Sequence, residues 1–189
     1  QESQMRAVAS QESGFFAREI APVILEDGTV IDTDDGPRAS STYEKLASLP
    51  EAFGGGGVTA GNSCPLNDGA AAVLIMSDTK AKELGVAPIG AVKKLLDRTG
   101  MKIEDIDTVE LNEAFAAQVI PISEEVGIPL SKLNTHGGAI ALGHPFGMTG
   151  ARIMGTLLNV METDDHTFGI ETMCVAGGQG EAMLVERLN

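Results

Sequence analysis

Three side chains of this sequence, Asn112, His144 and Cys174, combine proton-handling chemistry with the kind of local setting that such chemistry needs. His144 lies in Thr135–Arg152, a stretch with five glycines (Gly137, Gly138, Gly143, Gly147, Gly150) and Pro145. Glycine loses more backbone freedom on folding than any other residue, so this density points to a tight turn or a close approach of backbone to a ligand. Cys174 precedes Gly177, Gly178 and Gly180, and Asn112 opens the turn Asn112-Glu113-Ala114-Phe115. A thiol held near an imidazole can lose its proton near neutral pH and act as nucleophile or base. The imidazole can activate the thiol or stabilise an oxyanion, and a side-chain amide can hold a water or a carbonyl oxygen. Spacing alone leaves the blander alternative open, a cysteine buried as a small apolar residue and a histidine satisfied in the core. His136, just ahead of the glycine pair, and His166, in an acidic loop, are expected at the surface.

The elements that must carry these groups read as alternating strand and helix. Thr108–Leu111 predicts a strand, Ala116–Val126 a helix, 151–161 a second helix, and Phe168–Met173 a strand that delivers Cys174 into the glycine turn. Glu181–Leu188 predicts a final strand. In such an α/β arrangement ligands gather at the carboxyl ends of strands, where these groups would converge. Upstream, residues 1–20 suggest a helix broken at Gly14 and then an extended segment, followed by a hairpin of Ala21–Leu25 with Val30-Ile31 about Glu26–Thr29. Tyr43–Leu49 predicts a short helix stopped by Pro50, and Gly54–Gly57 a flexible seam. Ala70–Met76 suits a buried strand or short buried helix, Thr79–Leu84 a helix capped by Asp78, Val86–Gly90 a second seam, and Ala91–Thr99 a helix.

Composition narrows the function classes. With 189 residues and 43% apolar content the chain can bury a core and is globular. It has no apolar run of about 18 residues, so no membrane span is expected. A net charge of −14 argues against non-specific nucleic-acid binding. An anionic ligand would need local help from backbone N–H groups or from Lys93, Lys94 and Arg98, which otherwise form a solvated helix face. Cys64 and Cys174 show no CxxC spacing, so neither a disulfide framework nor a metal site is expected, and the default location is the reducing cytoplasm. Asp32, Asp34 and Asp35 lack the later Glu of a calcium loop. Ala151-Arg152 stand where a phosphate-binding loop needs Lys and Ser/Thr, and no GxGxxG follows a strand. The start, Gln1-Glu2-Ser3-Gln4, carries no signal-peptide pattern and reads as the middle of a longer protein.

Taken together, Asn112-Glu113-Ala114-Phe115, then Gly137-Gly138-Ala139-Ile140-Ala141-Leu142-Gly143-His144-Pro145 with Gly147, Thr149 and Gly150, then Cys174 before Gly177-Gly178-Gln179-Gly180, resemble the blocks of the thiolases. Val58-Thr59-Ala60-Gly61-Asn62 and Asn67-Asp68-Gly69-Ala70-Ala71 resemble a further block in the family's order. The resemblance implies a layered α/β/α/β/α fold, here mostly its C-terminal half. Residues 1–57 would be a loop-domain remnant, 58–86 the last strand and helix region of the first half, and 87–189 the C-terminal half. It implies acyl transfer between thioesters, as condensation of acyl-CoA molecules or CoA-dependent cleavage of a 3-oxoacyl-CoA, with coenzyme A and acyl-CoA as substrates and no covalently bound cofactor. A non-catalytic CoA-binding or assembly subunit is the rival reading.

By the same resemblance, Cys174 moves a proton at the α-carbon of acetyl-CoA. His144 helps activate a nucleophilic cysteine and shares an oxyanion hole with a water held by Asn112. Ser63, Cys64, Phe115 and Gly177 would line the substrate and CoA site, with Cys64 where the family usually has a small pocket residue. The nucleophilic cysteine belongs to a half not represented in these residues, so the 189-residue chain is expected not to turn over alone. Near Val86–Gly90 the family has a further strand and part of the pocket. A homodimer or tetramer is implied.

Overall fold

The computed structural model describes residues 1–72, 91–93, 100–175 and 179–188, and for 91–93, 174–175 and 179–180 the backbone alone. Helix α1 (Glu2–Glu12) runs out at Gly14, whose φ of 78° favours glycine. A single 3-10 turn, Phe15–Arg18, follows in place of the expected extended segment. The reason is burial: the turn sends the adjacent Phe15 and Phe16 rings, 5.5 Å apart, into one cluster with Ala7, Ala141, Leu142 and Val160. Phe15 also stacks on His136 at 3.7 Å, so His136 is half-buried rather than at the surface, and burial pushes its imidazole below the ordinary range. His166 is half-buried too. Strands β1 (Val23–Ile24) and β2 (Val30–Ile31) form the expected antiparallel hairpin, exposed on both faces. Helix α2 (Tyr43–Ala47) begins at Thr42, whose Oγ1 accepts from the Lys45 amide at 3.3 Å.

The central sheet joins β3 (Ala91–Lys93), β4 (Thr108–Leu111), β5 (Phe168–Val175) and β6 (Gln179–Glu186) in the order β3-β6-β5-β4. β4 runs parallel to β5, whereas β5/β6 and β6/β3 are antiparallel. Ala91–Lys93 thus begin the segment 91–99 as strand rather than helix, because pairing with Leu184–Glu186 satisfies backbone groups that local helix preference cannot outweigh. The remainder of that segment, the helix Thr79–Leu84, the seam Val86–Gly90 and Gly177 lie outside the described residues. Residues Lys132–Asn134 close the outer side of β4: Val109 donates to the Lys132 carbonyl at 2.8 Å, and Asn134 donates to the Val109 carbonyl at 2.9 Å. Asn134 also pairs its amide side chain with both backbone groups of Leu111, each at 2.8 Å.

Helices cover both faces of the sheet. Val109, Leu111, Ile170 and Leu184 pack with Val119 of α3 (Ala116–Val126) and with Ile128 and Leu133. On the other face Leu157 and Met161 of α5 (Thr149–Thr163) pack on Val185 and come so close to Gly169 that a Cβ there would meet Leu157 at 2.8 Å. This layered α/β arrangement is the fold expected from the sequence.

β4 is buried on both faces, yet its α5 side carries Thr108 and Glu110. Glu110 stands opposite Glu171 of β5, and the two residues are only 1% and 4% exposed. Burial pushes their carboxyls up, to about 8 for Glu110 and about 7 for Glu171, with Arg152 pulling the other way. A carboxyl that holds its proton more tightly folded than unfolded stabilises the fold at low pH. That stability declines as pH rises from the ordinary value of 4.5 towards about 8. We therefore expect the contribution of these carboxyls to thermal stability to fall across this window, and Glu110→Gln to flatten the fall. Identical pH profiles of melting temperature for both proteins would contradict this.

Candidate active site

The site forms where β4 ends beside β5. Asn112 follows β4, donates its backbone N–H to the Thr172 carbonyl at 2.9 Å, and is 1% exposed. Its side-chain amide nitrogen lies 3.2 Å from His144 Nε2. His144 is carried by the loop after α4 (Ala139–Leu142), a single helical turn between Gly138 and Gly143. Gly143 has φ of +92°, and a Cβ there would overlap the Asn67 side chain, so this corner needs glycine on both counts. Asn67 Oδ1 in turn accepts from the His144 backbone N–H at 3.3 Å.

The hydrogen bonds determine the histidine's tautomer. The Thr149 hydroxyl donates its one proton to the Pro145 carbonyl at 2.8 Å, so towards His144 Nδ1, at 2.6 Å, it can only accept. Nδ1 therefore carries hydrogen, and in the neutral ring Nε2 keeps its lone pair and accepts from Asn112. Burial and the positive charge of Arg152 both hold the imidazole below its ordinary range, which keeps the ring neutral near pH 7. The result is an oriented base with its lone pair at the end of β4.

Glu113 locks the frame around it. One carboxylate oxygen accepts from Ser3 Oγ of α1 at 2.6 Å and from the Ile140 N–H in the first turn of α4 at 3.1 Å. The other accepts from Asn134 Nδ2 at 2.9 Å. Gly138 lies directly beneath, where a Cβ would overlap the carboxylate.

The segment 62–69 lines the same end of the sheet. Ala116 donates to the Asn62 carbonyl at 3.0 Å, Cys64 donates to the Ala114 carbonyl at 3.2 Å, and Ser63 pairs with Phe115 as a bridge. Further along, Asn67 reaches His144 and Gly69 abuts Pro145 and Met148. Asn112, His144, Ser63, Cys64 and Phe115 are thus gathered by one run of backbone. Cys174 is the penultimate residue of β5, opposite Gly180, so the strand extends past Met173 and holds the cysteine inside it rather than in the turn. Sequence reasoning gave no role to Thr149, Asn67 or Glu113. Their signal lay in the same motif blocks, a hydroxyl five residues after the histidine and polar side chains beside the glycines.

Comparison with known proteins agrees with this geometry. The family model "Thiolase, C-terminal domain" matches residues 69–187, and "Thiolase, N-terminal domain" matches residues 1–79. The acetyl-CoA acetyltransferase of Escherichia coli K12 is 43% identical, over 99% of this chain and 54% of its own length. The crystal structure of the Bacillus anthracis acetyl-CoA acetyltransferase superposes with a TM-score of 0.91 at 37% identity, covering 99% of this chain and 54% of that one. Human mitochondrial 3-ketoacyl-CoA thiolase in complex with CoA superposes with a TM-score of 0.88 at 31% identity, covering 98% and 52%. The chain therefore spans about half the length of the curated relatives it matches. The 212 matched positions in the Escherichia coli protein outnumber the 189 residues here, so that relative carries residues within the matched span that this chain lacks. On its family matches and its fold, the chain belongs to the thiolase family.

Proposed function

We propose that this chain carries the histidine–asparagine side of a CoA-dependent acyl-transfer site that condenses acyl-CoA with acetyl-CoA or cleaves a 3-oxoacyl-CoA with CoA. The observation that carries the reading is the bare Nε2 of His144, oriented by Thr149 and faced by Asn112 at 3.2 Å. Nε2 takes the proton of an attacking thiol, leaving a thiolate and an imidazolium. The new Nε2–H then donates to the oxygen of the thioester carbonyl as negative charge develops there. The Asn112 amide gives way at this step and holds a water or the carbonyl oxygen. Cys174, on β5 next to the end of β4, is the proposed carrier of the α-carbon proton. Ser63, Cys64 and Phe115, together with Gly177, are the proposed lining of the CoA arm. Relatives named both as acetyl-CoA acetyltransferase and as 3-ketoacyl-CoA thiolase support the substrate class. Self-association is proposed from the exposed apolar residues of the β1–β2 hairpin, among them Ile24 at 72%.

The test is CoA-dependent thiolysis of acetoacetyl-CoA by the full-length protein. Thr149→Val removes the acceptor that sets the tautomer and should lower kcat on the order of 100-fold with KM little changed, while Thr149→Ser retains the rate. A full-length protein without thiolysis or condensation would overturn the reading.

A further inference from the structure

Behind His144 lies a buried polar seam that the chemistry above does not use. Thr108, Glu110 and Asn112 alternate along β4 onto the face covered by α5, and each keeps a buried oxygen with no protein partner: Oγ1, Oε1 and Oδ1 respectively. Across the strand pair Glu171 Oε2 is likewise without a partner. From α5, three residues after Thr149, Arg152 brings Nε and Nη1, both buried and without a partner. Donors and acceptors thus share one seam without touching. A buried polar group left unpaired is costly, and the usual remedy is an internal water making two to four hydrogen bonds.

We propose that Arg152, bridged by buried water to Glu110, Glu171 and the Asn112 carbonyl oxygen, is a positioning residue that fixes both supports of the His144 ring. The supports are Asn112, two residues beyond Glu110 on the same strand face, and Thr149, one helical turn before Arg152. The inference rests on the reading of His144 as the working base. Charge acts in the same sense as position, because the guanidinium and burial together disfavour a second positive charge on the imidazole. Four acids face Arg152, each drawn down by its charge and pushed up more strongly by burial. They are Glu110 from β4, Glu171 from β5, Glu19 after the 3-10 turn and Asp34 after β2. Glu110 in turn feels Glu113 and Glu19, and Arg6 of α1. The guanidinium is the charge that acts on His144.

The experiment follows the His144 ring proton by NMR titration in the full-length protein, with Arg152→Gln and Arg152→Lys alongside. Arg152→Gln should raise the proton affinity of His144 on the order of tenfold, and Arg152→Lys should restore it. An unchanged His144 titration in a folded Arg152→Gln protein overturns the proposal, since a packing role alone would lower stability without moving the ring. Should that variant fail to fold, a high-resolution crystal structure of the wild type decides. Water within hydrogen-bond distance of Arg152, Glu110 and Asn112 is expected, and a dry seam overturns the bridging. A titration that shifts as expected in a protein without acyl transfer would overturn the proposed function and leave this inference standing.

Discussion

His144→Ala is expected to lower the rate of acyl transfer by the full-length protein about 10³- to 10⁴-fold, with the fold retained. In the proposed mechanism the variant loses a general base and one oxyanion donor, which act through the same atom. Retention of the fold follows from position. The ring is only half-buried, and the loop that carries it is held by the Asn67 side chain, which accepts from the His144 backbone N–H, and by the glycines at either end of α4. The Asn112 amide loses its hydrogen bond to His144, and the space vacated by the ring admits water in its place. A matched measurement of kcat/KM for thiolysis and of melting temperature separates the two effects. A variant with near-normal turnover would remove His144 from the chemistry.

The second large effect is on stability. Glu113→Ala leaves the Ile140 amide without its acceptor and takes the shorter of two acceptors from the Ser3 hydroxyl and one of two from the Asn134 side-chain amide, which keep the Gly138 and Leu111 carbonyls. Leaving a buried donor unpaired and losing the neighbouring hydrogen bonds costs about 1–3 kcal/mol. Gly138→Ala reaches the same node from the other side, because the added methyl overlaps the Glu113 carboxylate while the backbone, with φ of −129°, is unstrained. The cause is steric, so the two changes should not add. In the Glu113→Ala background the overlap is gone, and Gly138→Ala should cost little further. Denaturant midpoints of the two single variants and the double variant test this, and additive losses would contradict it.

How far these features could be read from the sequence depended on how local they were. Thr108–Leu111 and Ala116–Val126 match their observed bounds, because an alternating strand, a polar turn and an amphipathic helix follow one another there without interruption. Helix α4 was hidden, since one turn between glycines has no periodicity to show. Ala91–Lys93 read as helix because their strand partner lies more than ninety residues away, at Leu184–Glu186. Asn112 and His144 were expected to converge from strand exits; they do meet, but His144 arrives from the loop after the helical turn α4 and only Asn112 from a strand end. What fixed the ring's protonated nitrogen was not foreseen, because it depends on where the single Thr149 proton goes. The buried Glu110 and Glu171 were equally silent: in an apolar run a lone glutamate reads as facing solvent, and only the packing of α5 shows otherwise.

The Glu113 node also dictates an order of events in folding. Ser3 reaches its acceptor across 110 residues of chain, and its contacts with Gly138 span 135. Closing loops of that length is entropically uphill until the far side already stands in place. Helix α1 has little apolar surface of its own, and its polar side is satisfied by Glu113, by Gly138 and, through Arg6, by the carbonyls of Leu130, Leu133 and Asn134. Helix α1 thus docks after the part of the chain that carries Glu113 and Gly138 has folded. Ser3→Ala should accordingly speed unfolding and leave the refolding rate almost untouched.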